Sequence, residues 1–481
     1  MMRKLQYWIF AVLTALSVAS TGCISDDFTT SSSDVLAFST DTVAFDTVIT
    51  AQSTPTKQFM VYNRSKKMIN ISSIKVAGNE RGRFYINVDG MKGSEFHDVE
   101  VRGDDSIYVM VESNIDVTGT DEPVEATDRI DFVTNGVTQS VTLTAWGQDV
   151  NIIKGDTIKA DTRLRAGKPY LVYDTLVVAQ GTTLTLDPGV TMLFHAKAGM
   201  KVNGRLDARG TQQQPIALRG DRLDHVVGQI NFDIMSGQWG GVQFGPHSYG
   251  NEMAYVEMRG SALGVEVKPE SADRLALHLF NCVLHNSSSS VLSATGAWVE
   301  AEGTELSDAA GSVASFEGGK VRLAQCTLAN YYLFDAISGP ILNLVTDNDS
   351  LPALDAQVDN CIIYGNASEL ASDDYSGTNV LLRNCLLKSK GTDDANFISC
   401  VWGGDPKFYT VREKYVFDYR LKNESDAIAA GDRSLCPASA RYDRYGQDRW
   451  QRDGIDLGAY VWVQADDDNS KTQAAPRRRR P

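Results

Sequence analysis

The sequence predicts an all-β protein in which a sandwich of antiparallel strands precedes a solenoid of parallel coils. Three observations carry that expectation. Residues 35–149 alternate apolar and polar side chains with a period of two between turn residues. From about residue 165 the chain is a series of short apolar segments punctuated by Gly, Asp and Pro, with nothing periodic enough for a crossover helix. A four-residue pattern, Asn281-Cys282-Val283-Leu284, then returns as Gln325-Cys326-Thr327-Leu328, Asn360-Cys361-Ile362-Ile363 and Asn384-Cys385-Leu386-Leu387.

The amino terminus has a secretory pattern. Arg3 and Lys4 form a short basic stretch, and the 13 residues Tyr7–Ala19 are apolar. That is too short for a helix across a ~30 Å hydrocarbon core, which takes about 20 residues. Ser20, Thr21 and Gly22 lead to Cys23. The segment resembles a bacterial lipobox, with Ser20 where a lipobox carries an apolar residue. The resemblance implies a signal peptide over 1–22, cleavage before Cys23, and a lipid on its thiol that attaches the protein to a membrane. An ordinary signal peptide cut nearby, with Cys23 a spare thiol, is the competing reading. Residues 23–34 are rich in Ser, Thr and Asp and read as a flexible tether. Ile24 stands where inner-membrane retention would place Asp, and Ser25-Asp26-Asp27 resembles the acidic export signal of surface lipoproteins. Both imply the outer membrane, with the protein exposed at the cell surface.

A formal charge of −15 argues against nucleic acid as a partner, since phosphate binding needs a basic face. Asp466–Asp468 and the Arg477–Arg480 run fall in residues 463–481, which read as a disordered, solvated tail. The sequence contains no zinc spacing, phosphate loop, acidic Ca²⁺ loop or nucleophile elbow, so no metal and no cofactor are expected.

Within 35–149, Phe59 and Val61, Ile69 and Ile71, Phe84, Ile86 and Val88, and Ile107, Val109 and Val111 alternate with polar neighbours. Asn135-Gly136, between DFVT and VTQSVTL, marks a two-residue hairpin because both residues accept positive φ. Roughly seven strands in this length fit an Ig-like β-sandwich. The segment resembles the hydin-type modules of bacterial surface proteins, which implies a spacer or interaction domain. No inter-sheet cysteine pair is present, so apolar packing alone must hold it.

The second domain spans 150–462. Parallel strands joined by turns without helices have one ready solution, a coil that stacks on itself. The repeated cysteines are 44, 35 and 24 residues apart, which suits coils of about two dozen residues with insertions. Equivalent side chains then stack every ~4.8 Å, so Cys and Leu or Ile fill an inward ladder. Asn suits the turn because it tolerates left-handed dihedrals. This pattern, with Gln238-Trp239-Gly240-Gly241-Val242, resembles the right-handed parallel β-helix family. Asp405-Pro406, Tyr419-Arg420-Leu421, Ser425-Asp426-Ala427-Ile428 and Asp456-Leu457-Gly458-Ala459-Tyr460 resemble the closing segment of choice-of-anchor Q proteins. Asp426 and Ala429 depart from that family's pattern. From about 405 the segment is expected to cap the last open strand edge. Stacked cysteines are poorly disposed for a disulfide and read as small hydrophobes. Cys400 and Cys436 leave a bridge tying the cap open.

Fold alone assigns no chemistry. A polysaccharide lyase needs a neutraliser and a base, for which Lys201, Arg205, Arg209, Arg219, Arg222 and His225, with Asp221 and Asp224, are the local candidates. Exposed turn residues of the first coils are the simpler reading. A glycoside hydrolase needs paired carboxylates; Asp233, Glu257, Glu266, Glu300 and Glu302 lie in strand-like segments without an evident pairing. Trp298, Tyr331, Tyr332, Trp402, Tyr445 and Trp450 are aromatics able to stack on sugars, and Trp402, Tyr445 and Trp450 are the candidates for glycan binding. The expected function is a non-catalytic binding or scaffold surface towards a polysaccharide or surface glycan. The alternatives are a lyase or glycosidase in the same groove, and a structural adhesin. Fatty-acid labelling is expected on the wild-type chain and absent from Cys23→Ser; a label that persists in the variant overturns the lipid anchor.

Overall fold

A computed structural model of the chain describes residues 27–78, 83–227 and 230–465. The expected signal peptide, Cys23 and almost all of the tail lie outside the described residues. The chain divides into two compact units, Met1–Asp149 and Val150–Pro481. Both are all-β; among the described residues the helical segments are single 3₁₀ turns such as Phe232–Ile234 and Ala438–Arg441.

In the first unit two sheets enclose one core. The five-stranded sheet runs Leu36–Phe38, Lys57–Asn63, Ser106–Ser113, Phe84–Val88, Met91–Gly93 in spatial order. The second sheet places Val137–Gln148 between Thr42–Ile49 and Val124–Thr134, with Ile69–Val76 beyond. Alternation drives this arrangement: strand Phe84–Val88 buries Phe84, Ile86 and Val88 and turns Tyr85 outward. Asn135 and Gly136, at φ 50° and 79°, form the two-residue hairpin that pairs Thr134 with Val137.

The second unit is a β-helix-like solenoid. Eleven parallel strands stack in one ladder, from Asn151–Lys154 through Thr191–Phe194, Val256–Ser261, Val283–Ser287 and Glu305–Ala309 to Val401–Trp402. The other two sides belong to a single sixteen-stranded sheet, because Leu292–Glu302 and Ala314–Ala324 turn the corner unbroken. In the second of these strands only glycine fits at position 319: Gly319 has φ 85°, and a Cβ on it would lie 2.3 Å from the Ala297 carbonyl oxygen.

From Tyr255 onward each coil re-enters the eleven-stranded ladder through one left-handed residue. Tyr255, Asn281, Gly303, Gln325, Asn360, Asn384 and Ser399 hold φ between 49° and 57° in seven successive coils. The next residue points inward, which places Cys282, Thr304, Cys326, Cys361, Cys385 and Cys400 in one column. The 44-residue step in the cysteine spacing is therefore two coils with Thr304 in the middle. All six described cysteines are free thiols. The five in the column are more than small hydrophobes, since each thiol donates to a carbonyl of the preceding coil, among them Cys282 to Met253 at 3.1 Å, Cys326 to Ala301 at 3.4 Å and Cys385 to Val358 at 3.3 Å. Burial pushes the Cys282 thiol up to about 11.

The ladder's inward column runs Leu284, Leu306, Leu328, Ile363 and Leu387, each no more than 1% exposed, and ends on Trp402. Trp402 packs 5.1 Å from the Phe397 ring and donates its indole N–H to Asp393. It closes the last coil: the Val-Trp after Ser399-Cys400 occupies the register of the Leu-Leu after Asn384-Cys385.

Residues 405–462 do more than blunt the end strand. They fold back as a strap along the column of left-handed turns, from Asp432 on Asn360 to Tyr445 on Gln212. The Asn360 amide donates to Asp432 O at 2.8 Å and accepts from Asp432 N at 2.9 Å. Arg449, 2% exposed, donates to Ala440 O, Gln325 Oε1, Gly458 O and Ala459 O. Gly458 N bonds Asn360 O, and Ala459 N bonds Thr327 Oγ1. Truncating Arg449 orphans three carbonyls together with a ladder amide, so Arg449→Met is expected to weaken strap docking by about 3 kcal/mol or more. Limited proteolysis would show it as faster cleavage within 405–462 while the solenoid stays resistant; equal cleavage of both regions overturns it.

Candidate functional site

The outward face of the eleven-stranded ladder changes character along the solenoid. One row reads Arg259, His285, Ser307, Ala329 and Tyr364, and its neighbour reads Glu257, Val283, Glu305, Thr327, Ile362 and Leu386. The late, apolar part is covered by the strap: Ala329, Ile362 and Leu386 form one core with Phe408, Tyr419, Leu421, Ala427, Leu457, Ala459 and Tyr460.

Next to it lies a sealed polar cluster. His285 Nδ1 is 2.9 Å from Ser307 Oγ and 3.2 Å from Asp308 Oδ2, and Ser307 donates to Glu305 at 2.6 Å. The strap supplies the rest: Tyr419 donates to Asp308 at 2.5 Å and Tyr460 donates to Glu305. All of these side chains are buried. Burial pushes the Asp308 carboxyl up to about 7, against the hydrogen bonds from Tyr419 and Tyr331 that favour its charged form. Burial raises Glu305 as well. Burial, with the charge of Arg259, holds His285 well below its ordinary value, so its imidazole is neutral at pH 7. Ser307 has no solvent path and shares its histidine nitrogen with Asp308. The cluster is an interlock between ladder and strap rather than an open catalytic set.

Beyond the interlock the face opens. Arg259 and Glu257 on Val256–Ser261 are half-buried, as are Arg219 on Ile216–Gly220 and Asp233 in the insertion between the coils. Arg219 meets Asp233 at 3.4 Å, and Arg444 of the strap holds Glu257. Arg222 pairs with Asp224 at 2.6 Å and lies over the Phe232 ring. Tyr445, 41% exposed, stacks on Tyr460 at 5.6 Å and borders this patch. Burial works against the Arg259 charge, and the carboxylates of Asp233, Glu257 and Glu305 outweigh it, which raises its pKa.

Of the residues singled out in the sequence, Arg219, Arg222, Asp233, Glu257 and Tyr445 come together here. Lys201, Arg205 and Arg209 face outward from the sixteen-stranded sheet, as do Glu266, Glu300 and Glu302. There Arg209 bonds Asp207, Glu266 bonds Lys268, and Glu300 accepts from the Trp298 indole. Asp221 bonds His195 at 2.6 Å, and His225 lies in the short strand His225–Val227 of the insertion. The basic run thus divides among the sides of the coil instead of lining one face. Tyr331 and Tyr332 give their carbonyls to Arg412 of the strap. Trp450 packs on the small core of Cys436, Ala440 and Ile455, with Arg433 and Arg441 guanidinium groups 4.6 and 5.0 Å from its ring centre. Sequence reasoning missed Arg259, His285, Glu305, Ser307, Asp308 and Arg444. The usable signal was register: His285 stands three residues after Cys282, and Ser307 three after Thr304.

No family model matches the chain. A stretch of 68 residues, 14% of the chain, is 41% identical to Protein bark beetle of Drosophila melanogaster and spans 2% of that protein. A solved family 123 glycoside hydrolase from Clostridium perfringens, studied for glycolipid glycan hydrolysis, aligns over 24% of this chain and 25% of its own, with 9% identity and a TM-score of 0.16. The chain therefore covers a small part of either protein, and neither likeness carries an argument about fold or chemistry.

The interlock has a signed pH dependence. A carboxyl whose pKa is raised by folding contributes stability that is complete below its unfolded value near 4 and lost as pH rises through about 7. His285, held low, acts in the opposite sense and destabilises as pH falls below its ordinary value. Asn at 308 cannot titrate, so the melting temperature of Asp308→Asn minus that of the wild type is expected to rise from pH 5 to pH 8. The ceiling on this contribution is about 4 kcal/mol, lowered by co-titration with Glu305. A difference that does not change with pH removes Asp308 from the account.

Proposed function

We propose that the chain is an exported lipoprotein, held at the outer membrane by a lipid on Cys23 and exposed at the cell surface. In this reading an Ig-like spacer carries a right-handed parallel β-helix of the choice-of-anchor Q type, and the uncovered charged patch on the outer face of its eleven-stranded ladder binds glycans without transforming them. The supporting observation is the half-exposed Tyr445 ring beside charged side chains that converge from insertion, ladder and strap. An aromatic face packs on the apolar face of a sugar, and fixed charged groups bond its hydroxyls. Asp233 and Glu257, the carboxylates a glycosidase reading would use, are each already engaged by a guanidinium, Arg219 and Arg444. That pairing suits them to accept hydrogen bonds from hydroxyls rather than to deliver a proton.

A glycan array probed with the full chain is expected to retain a subset of polysaccharides. Tyr445→Ala should weaken that retention about three- to tenfold, the worth of one aromatic contact. Incubation with polyuronates should give a flat absorbance trace in the unsaturated-product band. An array without retained glycans sinks the binding reading, and a rising trace replaces it with the lyase.

A further inference from the structure

Arg259 differs from every other arginine around the open patch. Arg219, Arg222, Arg420 and Arg444 are each paired with a carboxylate, Asp233, Asp224, Asp418 and Glu257 respectively. Among the described residues the Arg259 guanidinium makes no hydrogen bond and no ion pair within 4.0 Å; its backbone pairs in the ladder, and its carbonyl accepts from the Trp239 indole at 2.8 Å. Its side chain is only half-buried, and its guanidinium keeps contact with solvent. The carboxylates of Asp233, Glu257 and Glu305 keep it charged from a distance. A half-buried guanidinium without a partner is costly to hold in a folded chain.

We infer that Arg259 is the anion-binding residue of the patch and that its ligand is the carboxylate of a uronic acid within a glycan. The inference rests on the glycan reading of the same patch and names the class of glycan. A planar fork of N–H donors matches a carboxylate with two parallel hydrogen bonds, which a hydroxyl cannot offer. Arg444, next to Tyr445 in the strap, holds Glu257, which stands two residues before Arg259 on the same outward face of its strand. A sugar ring lying on Tyr445 therefore brings a ring substituent within range of the fork. Asp233 and Glu257 flank that position with their charge balanced by Arg219 and Arg444, and so accept from the sugar hydroxyls instead of repelling the acid.

The test is calorimetric titration of the full chain with oligogalacturonate and oligoalginate, and with the same oligomers after carboxyl reduction. The uronates are expected to bind at least tenfold more tightly than their reduced forms. Arg259→Gln should bring the uronates down to the neutral level, and Arg259→Lys, which keeps the charge but loses the fork, should recover part of the difference. Free galacturonate should compete where galactose does not, and more strongly than a galactose sulfate ester, which separates carboxylate from sulfate as the source of the anion. If Arg259→Gln proves unfolded, the wild-type preference and the competition by free galacturonate decide the question alone. Equal binding of acidic and reduced oligomers, or a preference that survives Arg259→Gln, overturns the anion site and leaves glycan binding standing. Binding by neither oligomer, combined with an empty glycan array, removes both.

Discussion

Parallel strands meet without a hairpin between them, so the register of a solenoid has to be set at its corners. Here one corner is set by a left-handed residue repeated through seven coils, from Tyr255 to Ser399. L-residues rarely adopt that conformation, and short amides such as Asn281, Asn360 and Asn384 accept it at low cost. The kink turns the following side chain inward, where the thiol column forms, and leaves the amide outward, where Asp432 and Tyr442 dock. A single backbone requirement thus sets register, core composition and the docking line for the strap.

The outer face of the ladder shows what that docking line does. Where the coils present Ala329, Ile362 and Leu386, the strap answers with Leu421, Ala427 and Leu457, and burial of apolar area suffices. Where they present His285, Glu305 and Asp308, it answers with two tyrosine hydroxyls that satisfy otherwise expensive acids. Buried polar groups of this kind are weak contributors to net stability and strong selectors of one docked position. The strap's last contacts, at Arg444 and Tyr445, form one border of the open charged patch. Strap and patch are therefore one construction, and a shift of the strap would move the patch with it.

Much of the fold was legible because it is local. The Asn-Cys pattern marks a turn and an inward rung with adjacent residues, and Asn135-Gly136 marks a hairpin by itself. Cys400 was harder to place, because Ser399 holds the left-handed position that Asn or Gln holds before the other cysteines of the column. The strap looked like an end cap because nothing in its sequence records partners as distant as Gln212 for Tyr445. The site was mostly hidden for the same reason. Insertions such as residues 221–241 break the even spacing, so Arg219, Arg259, His285 and Ser307 share a row without sharing a period. Asp233 and Glu257 were visible as carboxylates but not as neighbours of two arginines.

A stack of near-identical coils is energetically one-dimensional: each rung holds only its neighbours, and such an array frays from whichever end is free. The strap changes this. By bonding Asn360, Gln325, Asn281 and Gln212 in turn, it sews together rungs as much as several coils apart. Partial unwinding then requires the whole seam to lift, which replaces gradual fraying with a single cooperative event. Because the seam lies downstream of every coil it joins, it emerges after them during synthesis, and those coils form an unlocked spring until it is laid down.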